Sequence, residues 1–157
     1  YTRDDLKKAR VGWLGCTNGT LFSLIEGLRY FPFSLQVALP PLEDRPTLET
    51  YARHCGVKVD FVDTPQQAVE GCNFVYAGCR SGLDEEMSQQ WKVDDALLAH
   101  AAPKARVLLG TSPMQAIEVA SDILASPASL LLLQSENRLR VHKRLLHWVF
   151  LENERAI

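Results

Sequence analysis

Short apolar runs closed by glycine or proline alternate along the chain with stretches whose apolar residues return every three or four positions. The run Arg10-Val11-Gly12-Trp13-Leu14-Gly15 predicts a buried strand. Thr17 or Asn18 then caps a helix whose Leu21, Leu24, Ile25 and Leu28 share one face, with its end near Pro32. Leu35-Gln36-Val37-Ala38-Leu39 predicts a second strand, stopped by Pro40-Pro41. Residues 47–55 read as a helix with Pro46 in its first turn and Gly56 closing it. Residues 57–62 form a third strand, and Thr64-Pro65 opens a short helix over 66–70. Asn73-Phe74-Val75-Tyr76-Ala77 predicts a fourth strand and Arg106-Val107-Leu108-Leu109 a fifth, separated by two helical pieces in 83–102. A short helix over 118–124, a sixth strand at Leu130-Leu131-Leu132-Leu133 and a long helix over 136–152 complete the series.

Apolar strands alternating with helices predict an α/β fold. Its sheet is mostly parallel, covered by helices on both faces in a Rossmann-like three-layer domain with a long C-terminal helix. The 157 residues suit one domain, with no repeat or linker. The net charge is −2, from 17 Lys and Arg against 19 Asp and Glu, which excludes charge-driven nucleic-acid binding. No apolar run is long enough to span a membrane. Cys16, Cys55, Cys72 and Cys79 form no C-x-x-C pair, and His54, His100, His142 and His147 show no metal-ligand spacing. No metal and no cofactor is therefore expected, and the cysteines read as buried apolar residues in a reducing compartment, cytoplasmic or mitochondrial. No signal peptide is visible; the chain begins at Tyr1, and any preceding targeting segment would lie outside it.

Sites in this fold class form where strands end at their carboxyl edges. The first edge, Gly15-Cys16-Thr17-Asn18-Gly19, lacks the G-x-G-x-x-G fingerprint, and the second strand ends in Pro40-Pro41 without a ribose-binding acid. Nicotinamide dinucleotides are therefore expected not to bind. The edge before the last helix carries Ser135-Glu136-Asn137-Arg138-Leu139. There Glu136 suits a helix N-terminus, and Arg138 is either a solvated charge or a reach toward an anion.

These segments, in this order, resemble the second, amino-acid-binding domain of the ornithine carbamoyltransferase family. The resemblance is carried by Gly15-x-x-Asn18 before a helix with Ser23, and by 68–76, which ends in Asn73-Phe74-Val75-Tyr76. It continues through Ala101-Ala102-Pro103-Lys104-Ala105, Glu118-Val119, Ser126-Pro127-x-Ser129 and Glu136-Asn137-Arg138-Leu139. Aspartate carbamoyltransferases are a weaker match. The resemblance implies a single carbamoyltransferase-like domain over 1–157, without the carbamoyl-phosphate domain and its S-x-R-T-R motif. It further implies that Asn18, Ser81 and Arg138 are vestigial substrate-binding positions. Arg138 matches the family arginine that contacts the carbamoyl group.

Other family positions depart from the pattern. The second of two adjacent asparagines is Gly19. The D-x-W-x-S-M-G loop is replaced by Gly78-Cys79-Arg80-Ser81-Gly82, without its Asp, and the H-C-L-P motif by Leu109-Gly110-Thr111-Ser112-Pro113. Site residues act as a unit, so no catalytic residue is assigned and a non-catalytic structural or accessory role in a larger assembly is expected. The alternatives are an amino-acid or small-anion binding module, or half of an ornithine or aspartate carbamoyltransferase completed by another chain.

The last helix carries the partner expectation. Leu139, His142, Leu145 and Leu146 are expected to face the core, and Arg140, Lys143 and Arg144 to face outward. Trp148-Val149-Phe150-Leu151 is apolar all round, which predicts a protein interface anchored by Trp148, Phe150 and Leu151.

Overall fold

The computed structural model describes residues 3–78, 83–110 and 118–152. Five strands form one sheet: β1 (Arg10–Leu14), β2 (Ser34–Ala38), β3 (Asp60–Val62), β4 (Phe74–Ala77) and β5 (Arg106–Leu109). All neighbours are parallel and the spatial order is β3-β2-β1-β4-β5. This is the doubly wound order. The chain reverses its direction of travel across the sheet between β1 and β4, and folds of this order place their crevice at the carboxyl ends of two such strands.

Strand alternation sorts the core into two layers. Val11 and Trp13 of β1, with Leu35 and Val37 of β2, pack under α2 (Gly19–Gly27) and α3 (Arg45–Cys55), burying Leu21, Ile25, Leu48 and Ala52. Leu14, Val75, Ala77, Val107 and Leu109 face the opposite layer, where α4 (Pro65–Val69), α6 (Asp95–Leu98) and α7 (Ser121–Ala125) supply Ala68, Val69, Leu97 and Ile123. The three-layer expectation therefore holds. Local signals set the helix ends. Asp44 caps α3 by accepting from the Thr47 N–H at 3.2 Å, and Gly56 closes it in the left-handed region at φ 69°. Thr64 and Gln67 form a reciprocal capping box on α4, with Pro65 in its first turn. One short helix is not read from the pattern, α1 (Arg3–Lys7), with Asp4 and Asp5 in its first turn, while α5 (Glu85–Gln90) and α6 are the two helical pieces expected in 83–102.

The end of the chain corrects the pattern. The Leu130-Leu131-Leu132-Leu133 run is not a strand: α8 spans Leu131–His147 and passes into a π-helical turn, Trp148–Glu152. A single parallel bridge, Val107↔Ser129, stands where a sixth strand was expected. Leucine is a strong helix former without the β-branching that favours strands, and a run without alternation has no period to decide the matter. The core-facing assignment on this helix is also overturned. Leu139, His142, Leu145 and Leu146 are all exposed, and no residue of α8 is buried. The helix leaves the sheet after its first turn instead of lying on it.

Among the cysteines, Cys16 and Cys72 are buried, Cys55 is half-buried, and Cys79 lies outside the described residues. The Cys72 thiol donates to Gln36 Oε1 at 2.9 Å, and burial pushes its pKa up to about 11 against the pull of the Arg10 charge. The folded value lies above that of the unfolded thiol. The associated stability is therefore complete below the ordinary thiol range, ~8.5, and is lost as pH rises through about 11. Urea midpoints measured across this window should fall more steeply for the natural chain than for Cys72→Ala, and Cys72 should resist alkylation while the protein is folded.

Candidate functional site

The crevice is built from the ends of β1, β4 and β5, the start of α2 and the first turns of α8. Gly78 donates its N–H to the Leu14 carbonyl at 2.7 Å and Gly110 donates to Ala77 at 2.9 Å, so the three strand ends are tied together. Gly78 is pressed closely: a Cβ there would stand 2.7 Å from Trp13 Cζ2. Trp13 is fully buried, and its indole N–H donates to the Gly15 carbonyl at 3.1 Å.

Asn18 is the N-cap of α2. Its side-chain oxygen accepts from the N–H groups of Thr20 at 2.9 Å and Leu21 at 3.1 Å. The Thr17 N–H is taken by the Glu43 carboxylate at 2.8 Å. Three donors of the β1–α2 turn are thus satisfied from within the chain, in the place where a dinucleotide fold presents them to a phosphate. Ser23 likewise spends its hydroxyl on the Gly19 carbonyl at 2.9 Å.

Arg138 is exposed two turns into α8, because the helix begins at Leu131. Glu136 does not open the helix either; it pairs with Arg140 at 3.4 Å one turn further on. What fixes the base of α8 is Gln134. Its side chain accepts from the Leu109 N–H at 3.0 Å and donates to the Leu109 carbonyl at 3.3 Å, acting as a strand partner for the end of β5. The Arg138 charge favours the ionised form of the Tyr76 hydroxyl. Burial pushes the Tyr76 pKa up; the bond to Thr20 and the Arg138 charge oppose that rise. The ring is held by a stack on Trp13, with centroids 4.7 Å apart and planes 20° from parallel.

Of the three positions singled out from the sequence, Asn18 caps α2 and Arg138 lies exposed two turns into α8, while Ser81 lies outside the described residues. Tyr76, Thr20 and Gln134 went unnoticed. Tyr76 had a legible signal, since a tyrosine near the carboxyl end of a buried strand needs a partner for its hydroxyl. Gln134 had none, because its role depends on where α8 starts.

A model of the "Aspartate/ornithine carbamoyltransferase, Asp/Orn binding domain" family matches residues 7–149. The chain belongs to this family. The ornithine carbamoyltransferase of Oleidesulfovibrio alaskensis is 36% identical over 154 residues, covering 92% of this chain and 51% of that protein. Among solved structures, a mitochondrial ornithine carbamoyltransferase from Coccidioides immitis superposes with a TM-score of 0.77 at 21% identity, over 89% of this chain and 47% of that one. The ornithine carbamoyltransferase of Thermus thermophilus gives 0.74 at 26% identity, over 88% and 47%. The chain therefore spans about half the length of the curated relatives it matches.

The exposed Trp148-Val149-Phe150-Leu151 end begins within the matched span, at the tip of the departing helix, with Trp148 48% and Phe150 65% exposed. Among the described residues no group of three or more His, Cys, Asp and Glu side chains gathers as a metal site, and no helix is long and apolar enough to cross a membrane. An open hollow between α3 and β3 lies at the far edge of the sheet. Its Arg45 is already bound to Glu49 at 2.7 Å, Asp63 at 2.6 Å and the Phe61 carbonyl at 3.0 Å, so it serves to close the edge strand.

Proposed function

We propose that this chain is a carbamoyltransferase-type amino-acid domain that performs no turnover by itself and serves as a structural or accessory subunit of a larger protein assembly. The observation that carries the reading is the helix α8 standing away from its own sheet, its residues from 135 to 151 exposed and its tip apolar on every side. Such a helix gains little by remaining in water, whereas burying each large side chain at its tip is worth roughly 1.5–3 kcal/mol. Trp148, Phe150 and Leu151 are the proposed anchors, with a protein partner rather than nucleic acid or membrane. The chemistry points the same way. The positions matching the family's amine-holding Asp and its H-C-L-P motif carry Gly78 and Leu109-Gly110-Thr111, which offer no carboxylate, imidazole or thiol.

A second reading is half of an ornithine or aspartate carbamoyltransferase completed by another chain. It is favoured by the span of about half the relatives' length and by Arg138 standing at the crevice. Under both readings the crevice beside Arg138 takes a small anion or an amino acid, held by Asn18, Ser81 and Arg138. The proposed compartment is mitochondrial or cytoplasmic.

The two readings part in an assay with carbamoyl phosphate and either ornithine or aspartate. The chain alone is expected to stay at background. Turnover by the chain alone that Arg138→Ala abolishes would overturn the non-catalytic reading. Turnover that appears only with a co-purified chain carrying S-x-R-T-R would establish the second.

A further inference from the structure

α8 is a helix that its own domain leaves bare. Its substantial contacts within the chain are with β5 and with the turn that continues it, and none of its residues is buried. Leu132, Leu139 and Leu146 recur every seven positions and form one apolar stripe, each of them more than half exposed. Around the stripe, residues 138–147 carry Arg138, Arg140, Lys143 and Arg144 and no acidic residue. α5 also buries no residue, and its charge is opposite: residues 84–95 hold Asp84, Glu85, Glu86, Asp94 and Asp95 against Lys92 alone. Among the described residues, neither these acids nor Lys143 forms an ion pair within the chain. Both helices are rooted at the carboxyl ends of adjoining strands, since α5 follows β4 and Gln134 clamps the base of α8 to the end of β5.

We propose that α8 docks on the α5–α6 surface of a second copy of this chain, so that two copies exchange the contact about a two-fold axis. The charges decide the occupant. Two α8 helices laid side by side would set Arg140 and Lys143 of one against the same charges of the other, whereas the acids of α5 and α6 meet them with opposite sign. Both complementary surfaces belong to this one chain. A two-fold pairing is closed and uses each surface once per copy, so it covers both helices and stops at two copies. Met87 of α5 and Ala96 of α6, neither of them buried, give the leucine stripe an apolar seat inside the acidic rim. The inference rests on the reading of α8 as a protein interface, and adds the identity of the partner and the surface that receives the helix.

The test is sedimentation velocity on the purified full chain at micromolar concentration. The natural chain should sediment as a dimer in low salt and dissociate as ionic strength rises toward about 1 M, where charges are screened beyond about 3 Å. Arg140→Glu with Lys143→Glu on α8, or Glu85→Lys with Glu86→Lys on α5, should each weaken self-association by about tenfold or more through like-charge juxtaposition. All four positions are exposed, and circular dichroism checks that both double variants keep the fold. A one-to-one mixture of the two should restore the dimer that neither forms alone, because each helix then meets the opposite charge in both contacts. Dimers that survive in both double variants, or folded variants whose mixture stays monomeric, would overturn the pairing. So would a monomeric natural chain that instead cosediments with vesicles of phosphatidylcholine and phosphatidylserine, which would make the basic helix a membrane-surface element. A natural chain that is monomeric and binds no vesicles would overturn this inference alone and leave the accessory role, which is tested separately through Trp148 and Phe150.

Discussion

Gly12→Ala is expected to unfold the domain, or to leave it destabilised by about 3 kcal/mol or more, at the upper end of what overpacking costs. An added Cβ would stand 2.3 Å from the Ala68 carbonyl oxygen and 3.1 Å from its carbon, and both are backbone atoms that no rotamer change can move. Relief requires lifting α4 off β1, which would uncover Ala68 and Val69, two residues with no exposure at all. A domain stabilised by roughly 5–15 kcal/mol has little to spare for such a change. Urea denaturation followed by circular dichroism measures the loss. Gly19→Ala is the control. Nothing lies within 4 Å of its added Cβ, so that variant should match the natural chain or exceed it slightly. Equal midpoints for Gly12→Ala and the natural chain would mean that α4 does not lie across β1 as described.

Trp148→Asp combined with Phe150→Asp should release the partner while leaving the domain folded. Trp148 is about half exposed and Phe150 largely so, and both lie beyond the last residue that touches either core layer, so replacing them leaves both core layers intact. If each anchor contributes roughly 1.5–3 kcal/mol to the contact, losing both weakens association on the order of a hundredfold or more. Burying the introduced carboxylates would add a further penalty. Affinity purification of the tagged chain from its own cells, with stoichiometry from quantitative mass spectrometry, measures the effect. Partners retained at natural stoichiometry by a folded double variant would remove the interface from this helix and with it the main support for an accessory role.

The readable parts of the site were those governed by neighbours in the chain. Asn18, one of two cap candidates, Gly56 as a helix stop and the helix start at Thr64-Pro65 depend on a few adjacent residues, and each stands where the pattern put it. The dinucleotide fingerprint was missing from the sequence of the first turn, and the structure adds the reason that turn is already occupied. Glu43, 26 residues away, fills the Thr17 N–H, a contact that no local pattern announces.

The sequence by itself determined most of the alternation of strands and helices, the parallel three-layer class, several helix ends and the family. All of these follow from apolar periodicity, turn chemistry and ordered motifs along the chain. Only the tertiary structure decided where α8 begins, which residues meet at the crevice and which face of the last helix is covered. Four consecutive leucines satisfy a buried strand and a helix equally well. The choice falls to the Gln134 clamp on Leu109 and the single bridge at Ser129, both of which need β5 already in place. An amphipathic stripe shows that a face is apolar but not what covers it. Leu139, Leu145 and Leu146 carry the stripe of a core-facing helix and are exposed, because burial depends on a neighbouring surface and not on the helix that would use it.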